Sequence, residues 1–207
     1  QLVQQAPQKY RVGALELLLV AFQSAWHKWS GDHTLLLDLE NHGRDLPLDG
    51  VDVSRTVGWF TAMFPLVLSK GPMQSLDGMI KAVKEQLRQM PHHGVGFGLL
   101  RHLAHDPAVS RRVRYWPHPT IAFNYLGHFD NLQSDDALFQ AASENIGPMR
   151  APDNPRSHVL EVSMAVSDGQ MRVNFTYGGR QFKPSRIEEL ATLMRNALSL
   201  LIDHCLA

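Results

Sequence analysis

The stretch TLLLDLENHGRDL, residues 34–46, joins two unlike texts. Its first half is an apolar run short enough for a buried strand. Its second half places a carboxylate, an amide, an imidazole, a glycine, a guanidinium and a second carboxylate side by side, which a packed core does not call for. A buried strand running straight into polar residues is the pattern of a mixed sheet, where strand ends are favoured places for functional groups. Two readings of ENHGRD are open on the residues alone. It carries chemistry, or it is a turn in which Asn41 and Gly43 supply the backbone and Arg44 pairs with Glu40 or Asp45.

Outward from that seam the periodicities alternate. Residues 10–29 place Leu15, Leu18, Leu19, Phe22 and Trp26 at helical spacing, which predicts an amphipathic helix ended by SGD. Residues 56–68 are β-rich, with Pro65 marking an edge, an irregularity or a strand end. Leu76, Met79, Ile80, Val83 and Leu87 predict a second amphipathic helix. GVGFGLLRHLAHD reads as a glycine turn opening a short helix, and TIAFNYLG as a strand. Residues 128–157 are rich in Asp, Asn, Ser, Gly and Pro and form a long excursion, with one helical turn expected near Asp135–Ala142. HVLEVSMAVSDGQMRVNFTY predicts a hairpin turning at Ser167-Asp168-Gly169. A last helix begins at PSRIEEL, where Ser185 and Glu188 have capping-box spacing. The order α, β, β, α, α, β, β, β, α is that of an α/β protein with a mixed β-sheet packed with helices.

Composition narrows the function. The chain has 207 residues, 44% of them hydrophobic, with 20 basic and 20 acidic side chains. That balance leaves no electrostatic footprint for nucleic acid, and no apolar run is long enough for a membrane span. The single cysteine, Cys205, allows no internal disulfide and suits a reducing compartment, so a cytoplasmic location is expected. The N-terminus has neither a secretory signal nor an initiating Met and reads as though cut from a longer polypeptide. No P-loop or G-x-S-x-G elbow is present, and GVGFG is not the dinucleotide fingerprint. The 11 histidines show no metal-ligand spacing, so no metal site is expected. Tyr125 is either a core tyrosine or a proton donor facing a cleft.

LENHGRD, VDVSRTVGWFTAMFP, PHHGVGFGLLRHL and IAFNYLGHFD occur in this order at domain-like spacing. Together they resemble the C-terminal half of epimerization domains of non-ribosomal peptide synthetases, members of the condensation-domain superfamily. The family patterns read approximately EGHGRE, RTVGWFT-x-x-P, P-x-K-G-I-G-Y-G and FNYLGQ. RTVGWFT is the most specific of them and argues for the epimerization branch over an amide-forming condensation domain.

The resemblance spans residues 1–207 and implies a chloramphenicol-acetyltransferase-like lobe. Two such lobes form a V around a tunnel that a carrier protein's phosphopantetheine arm enters. The HHxxxDG motif of the N-terminal lobe does not occur in this sequence, which implies half an active site, inactive alone and exposing an apolar wall. By resemblance, Glu40 is one acid–base group for Cα of a carrier-bound thioester and Tyr125 assists proton transfer or enolate stabilisation. Asn124 is its polar neighbour, His42 and Arg44 hold the loop, and Trp59 of RTVGWFT lies at the site. No organic cofactor is implied beyond the 4'-phosphopantetheine arm carrying the substrate. The implied partners are the N-terminal lobe and a peptidyl carrier protein, with no nucleic acid and no membrane. Asn41, Asp45 and His93 depart from the family's Gly, Glu and Lys. Those departures leave room for a third reading, a catalytically silent docking lobe.

Overall fold

The structure is a computed structural model that describes residues 2, 5–44, 50–69, 71, 75–129, 144, 147, 151 and 154–207. Helix α1 (Ala14–Ser30) leads into strand β1 (Thr34–Asn41), followed by β2 (Ala62–Ser69), α2 (Leu76–Arg88), a 3₁₀ turn (Pro91–Gly94), α3 (Val95–His102) and α4 (Pro107–Arg114). Strands β3 (Ile121–His128), β4 (Leu160–Ser167) and β5 (Gln170–Tyr177) precede the last helix, α5 (Pro184–Leu206). The sheet order is β2-β1-β3-β4-β5. The strands β1, β3 and β4 run parallel at its centre, and β2 and β5 close the edges antiparallel. Pro65 thus lies on an edge strand, where a missing N–H is tolerated.

One face of the sheet makes the core. Leu35, Leu37 and Leu39 of β1 alternate inward, as do Phe64, Leu66 and Leu68 of β2, Ile121 and Phe123 of β3, and Leu160, Val162 and Met164 of β4. Against them lies α1, whose six consecutive residues Leu17–Phe22 are fully buried. Six successive positions point in every direction around a helix, so α1 is enclosed rather than amphipathic. The α2 and α5 helices cover its far sides, and Phe22 meets Phe123 at a ring distance of 5.4 Å. The opposite face carries Asp38 and Glu40, Ala122 and Asn124, and Glu161 and Ser163, one polar-rich row behind another.

Several boundaries differ from the sequence expectation. Strand β2 starts at Ala62, not near residue 56, because residues 53–60 are drawn into a loop by Arg44. The α4 helix is additional. Its signal was local, since Asp106 caps the Ala108 N–H at 2.8 Å and Pro107 opens the first turn. No capping box forms on α5. Lys183 is its N-cap and Pro184 its first residue, so Ser185 lies inside the first turn. The hairpin turn is as expected, with Asp168 and Gly169 both at positive φ (54° and 67°), the geometry of a two-residue hairpin loop. The helical turn expected near 135–142 lies outside the described residues.

Candidate active site

The polar motif emerges at the C-terminal end of β1. Glu40 is the register partner of Asn124 on the parallel neighbour β3, and the Asn124 amide donates a hydrogen bond to Glu40 Oε2. One residue further on, Asn41 accepts from the His42 N–H at 2.8 Å and reaches the His93 carbonyl at 3.5 Å. Asn41 is still part of the strand, so the left-handed freedom a glycine would bring is not used there. It is used at Gly43, with φ 61°, where an added Cβ would stand 1.7 Å from the Phe60 carbonyl oxygen. That contact brings the 53–60 loop directly over the motif.

Arg44 holds the same loop. Its guanidinium donates to the carbonyls of Val53 (2.6 Å) and Thr56 (2.9 Å), approaches that of Gly58 (3.4 Å) and sits 4.6 Å from the Phe60 ring centroid. The pairing of Arg44 with Glu40 or another acidic neighbour is therefore not what the described residues show, and Asp45 lies outside them. Backbone carbonyls occupy the fork, whose planar set of donors suits several acceptors at once. His42 accepts the Arg44 N–H at 3.1 Å, so the imidazole also shapes the turn.

Glu40 and Tyr125 reach one cavity of about 590 Å³ together with Asn41, His42, Arg44, Trp59, Asn124 and Leu126. They reach it from different sides. Successive strand residues alternate faces. Glu40 and Asn124 share the polar face, and Tyr125 packs with the core beside Met164. The cavity wraps the strand ends where the two faces meet. Trp59 stands at its rim 92% exposed, with Val57 (99%) two residues before it and Leu126 (53%) also lining the cavity.

Burial pushes the Glu40 carboxyl above the usual carboxylate range. His158 and the Asn124 hydrogen bond oppose that rise, and Glu161 adds to it. Burial likewise raises the Tyr125 phenol, so both groups hold their protons more tightly than in water. The basic side chain that opposes the rise at Glu40 is His158, not the neighbouring His42 or Arg44. His158 Nε2 lies 2.9 Å from Asp38 Oδ2, and Arg156 lies 3.8 Å from Glu161. Asp38, His158 and Glu161 were not anticipated from sequence. Asp38 could have been found, since it sits two residues before Glu40 on a strand and must share its face. His158 could not, because its placement depends on β4 lying next but one to β1.

The chain thus folds as a mixed sheet packed with helices, with a cavity at the strand ends lined by Glu40 and Tyr125. The chain belongs to the condensation domain family, whose model matches residues 1–207. Its fold is the chloramphenicol-acetyltransferase-like fold of such domains. It is 41% identical over 202 residues to one of the linear gramicidin synthase proteins of Brevibacillus parabrevis, covering 98% of this chain and 4% of that protein. It is 39% identical over 206 residues to chondramide synthase cmdD of Chondromyces crocatus, covering all of this chain and 5% of that protein. Among solved structures it resembles the epimerization domain from the third module of tyrocidine synthetase B. The TM-score is 0.90 at 31% identity, over 99% of this chain and 45% of that one. The first condensation domain of the CDA synthetase shares the fold at TM-score 0.58 and 14% identity, over 97% of this chain and 41% of that one.

Proposed function

We propose that this chain is the C-terminal lobe of a non-ribosomal peptide synthetase epimerization domain. In this reading it helps convert Cα of an L-aminoacyl or peptidyl thioester to the D configuration. One observation carries the reading. A half-buried carboxylate with a raised proton affinity ends a strand, is held by an amide, and opens on the same cavity as a tyrosine. The similarity to the tyrocidine epimerization domain, 31% against 14% for the condensation domain above, favours the same branch.

The chemistry follows from those groups. A thioester acidifies its Cα–H, and removing that proton leaves an enolate whose negative charge collects on the thioester oxygen. On one face Glu40 takes the proton as a carboxylate, or returns one as the carboxylic acid. The opposite face requires a second acid–base group, which in this reading is a histidine of the N-terminal lobe's HHxxxDG motif. Tyr125, whose phenol keeps its proton near neutral pH, donates a hydrogen bond toward the enolate oxygen or relays the proton. Asn124 fixes the Glu40 rotamer. Arg44 and Gly43 fold the Trp59 loop over the cavity and restrict water. The substrate arrives on the 4'-phosphopantetheine arm of a peptidyl carrier protein, and the chain itself needs no organic cofactor.

A second reading is amide formation by a condensation-type lobe, which the family match also accommodates. The two separate in one experiment. A complete domain containing this lobe, given L-aminoacyl carrier and a second carrier bearing an acceptor aminoacyl group in D₂O, should exchange Cα hydrogen and invert chirality. Glu40→Gln should slow that exchange by about a hundredfold or more, the usual contribution of one general acid–base group. Amide product without Cα exchange would assign the condensation reading, and neither product would assign a silent docking lobe.

A further inference from the structure

We propose that His158, held by Asp38, is a positioning element for Glu40, set by strand register to govern how readily Glu40 exchanges its proton. The inference rests on reading Glu40 as the acid–base group. Its geometry is independent of that reading.

The strands place these groups together. Asp38 and Glu40 are two apart on β1 and share a face, about 7 Å along the strand. Across the sheet, Asp38 pairs with Ala122, and Ala122 with Glu161. Glu40 pairs with Asn124, and Asn124 with Ser163. His158 lies just before β4, where Val159 donates to the Thr120 carbonyl at 2.8 Å. To meet Asp38 on β1, its ring must pass over β3. The small side chain at Ala122 allows that passage. The pair is largely withdrawn from water, with side-chain exposures of 8% for His158 and 13% for Asp38. The other ring nitrogen, Nδ1, meets Ser157 Oγ at 3.1 Å, which fixes the ring.

Three carboxylates therefore share one sheet face, and their partners differ. Asp38 has an imidazole at 2.9 Å and Glu161 has Arg156 at 3.8 Å. Glu40 has the neutral Asn124 amide. Among the described residues, the charged groups on this face are Asp38 and Glu40 from β1, Glu161 from β4, His158 and Arg156 from the segment before it, and, one row beyond, Arg172 of β5, which pairs with Asp168. The β3 strand offers Ala122 and Asn124, and β2 offers Met63 and Pro65, which carry no charge. A proton leaving Glu40 creates an anion beside Asp38, and His158 offsets that when it carries a proton. A tightly packed countercharge near a half-buried carboxylate is screened little by solvent. The pair is also fixed by strand register rather than by a loop, which is how a working group is held to one geometry.

The test is a titration of the 207-residue chain with ¹³C-labelled glutamate carboxyls, following Glu40 directly. His158→Gln keeps a donor for Asp38 and removes the cation. Glu40 should then bind its proton about threefold more tightly, or more. Asp38→Asn combined with His158→Gln removes the neighbouring anion as well and should leave Glu40 binding its proton less tightly than in His158→Gln alone. Coupling is reciprocal, so Glu40→Gln should weaken proton binding at His158 by the same factor, read from ¹⁵N-imidazole shifts. That arm needs no change at either member of the buried pair. An unmoved Glu40 midpoint in His158→Gln, or an unmoved His158 midpoint in Glu40→Gln, overturns the inference. In a complete, active domain, His158→Gln should displace the Glu40 limb of the exchange-rate pH profile upward, which mere loss of packing would not do. Shifted titrations in a domain that exchanges no Cα hydrogen would overturn the acid–base reading and leave the coupling standing.

Discussion

Two carboxylates in this chain respond to folding in opposite senses. Glu40 is raised chiefly by burial. The folded state therefore binds its proton more tightly than the unfolded chain, and stability falls as pH rises from the ordinary carboxylate value through the raised one. Asp77 is lowered, first by its hydrogen bond with His204, whose Nε2 lies 3.0 Å from Asp77 Oδ1. Its contribution is present above the ordinary Asp value and is lost as pH falls through the lowered one. Glu40→Gln should raise the melting temperature at pH 7, with the gain fading below about pH 4. Asp77→Asn should lower it at pH 7, with the loss fading toward about pH 3. Calorimetry of both variants across that range checks the two signs together. The Asp77 cluster also includes the Tyr10 hydroxyl, 2.9 Å from His204, so one acidic residue ties α2 to segments 194 residues apart. Glu40 and Tyr125 were legible in sequence because their neighbours form recognisable motifs. The Tyr10–Asp77–His204 and Asp38–His158 contacts were not, because each joins residues that only the finished topology brings together.

Among the elements, strands with strong alternation or an apolar run were legible. The β1, β3 and β4–β5 segments sit where their patterns put them. The 56–61 stretch misled because Val57, Trp59 and Phe60 have high strand propensity. Propensity lost there to a guanidinium that takes up backbone carbonyls before a neighbouring strand can. The α4 helix was hidden by a basic, weakly apolar sequence in which only Val113 is buried. The loop offers a direct test. Arg44→Lys keeps the charge and loses the fork, so it should destabilise the chain by about 1–2 kcal/mol. It should also loosen residues 53–60, seen as faster proteolysis there and lower fluorescence anisotropy of Trp59. Equal protease sensitivity in the two proteins would remove Arg44 as the loop's anchor.

At the scale of the whole molecule, the sheet is a sum of local and distant pairings. The β4–β5 hairpin closes over two residues. The β1–β3 seam joins Glu40 to Asn124, 84 residues away. Pairings of such separation form late, because the entropy of closing the intervening chain must be met before any contact rewards it. In stopped-flow refolding, Gly169→Ala, which burdens a positive-φ turn, should slow folding. Asn124→Ala should mainly speed unfolding, the signature of contacts absent from the transition state. A strong slowing of refolding by Asn124→Ala would place the seam in the nucleus instead. With the seam forming late, the carboxylate and its amide are among the last contacts acquired and the first surrendered. Partial unfolding would then take apart the Glu40–Asn124 contact while most of the hairpin and helices persist, before circular dichroism registers any change.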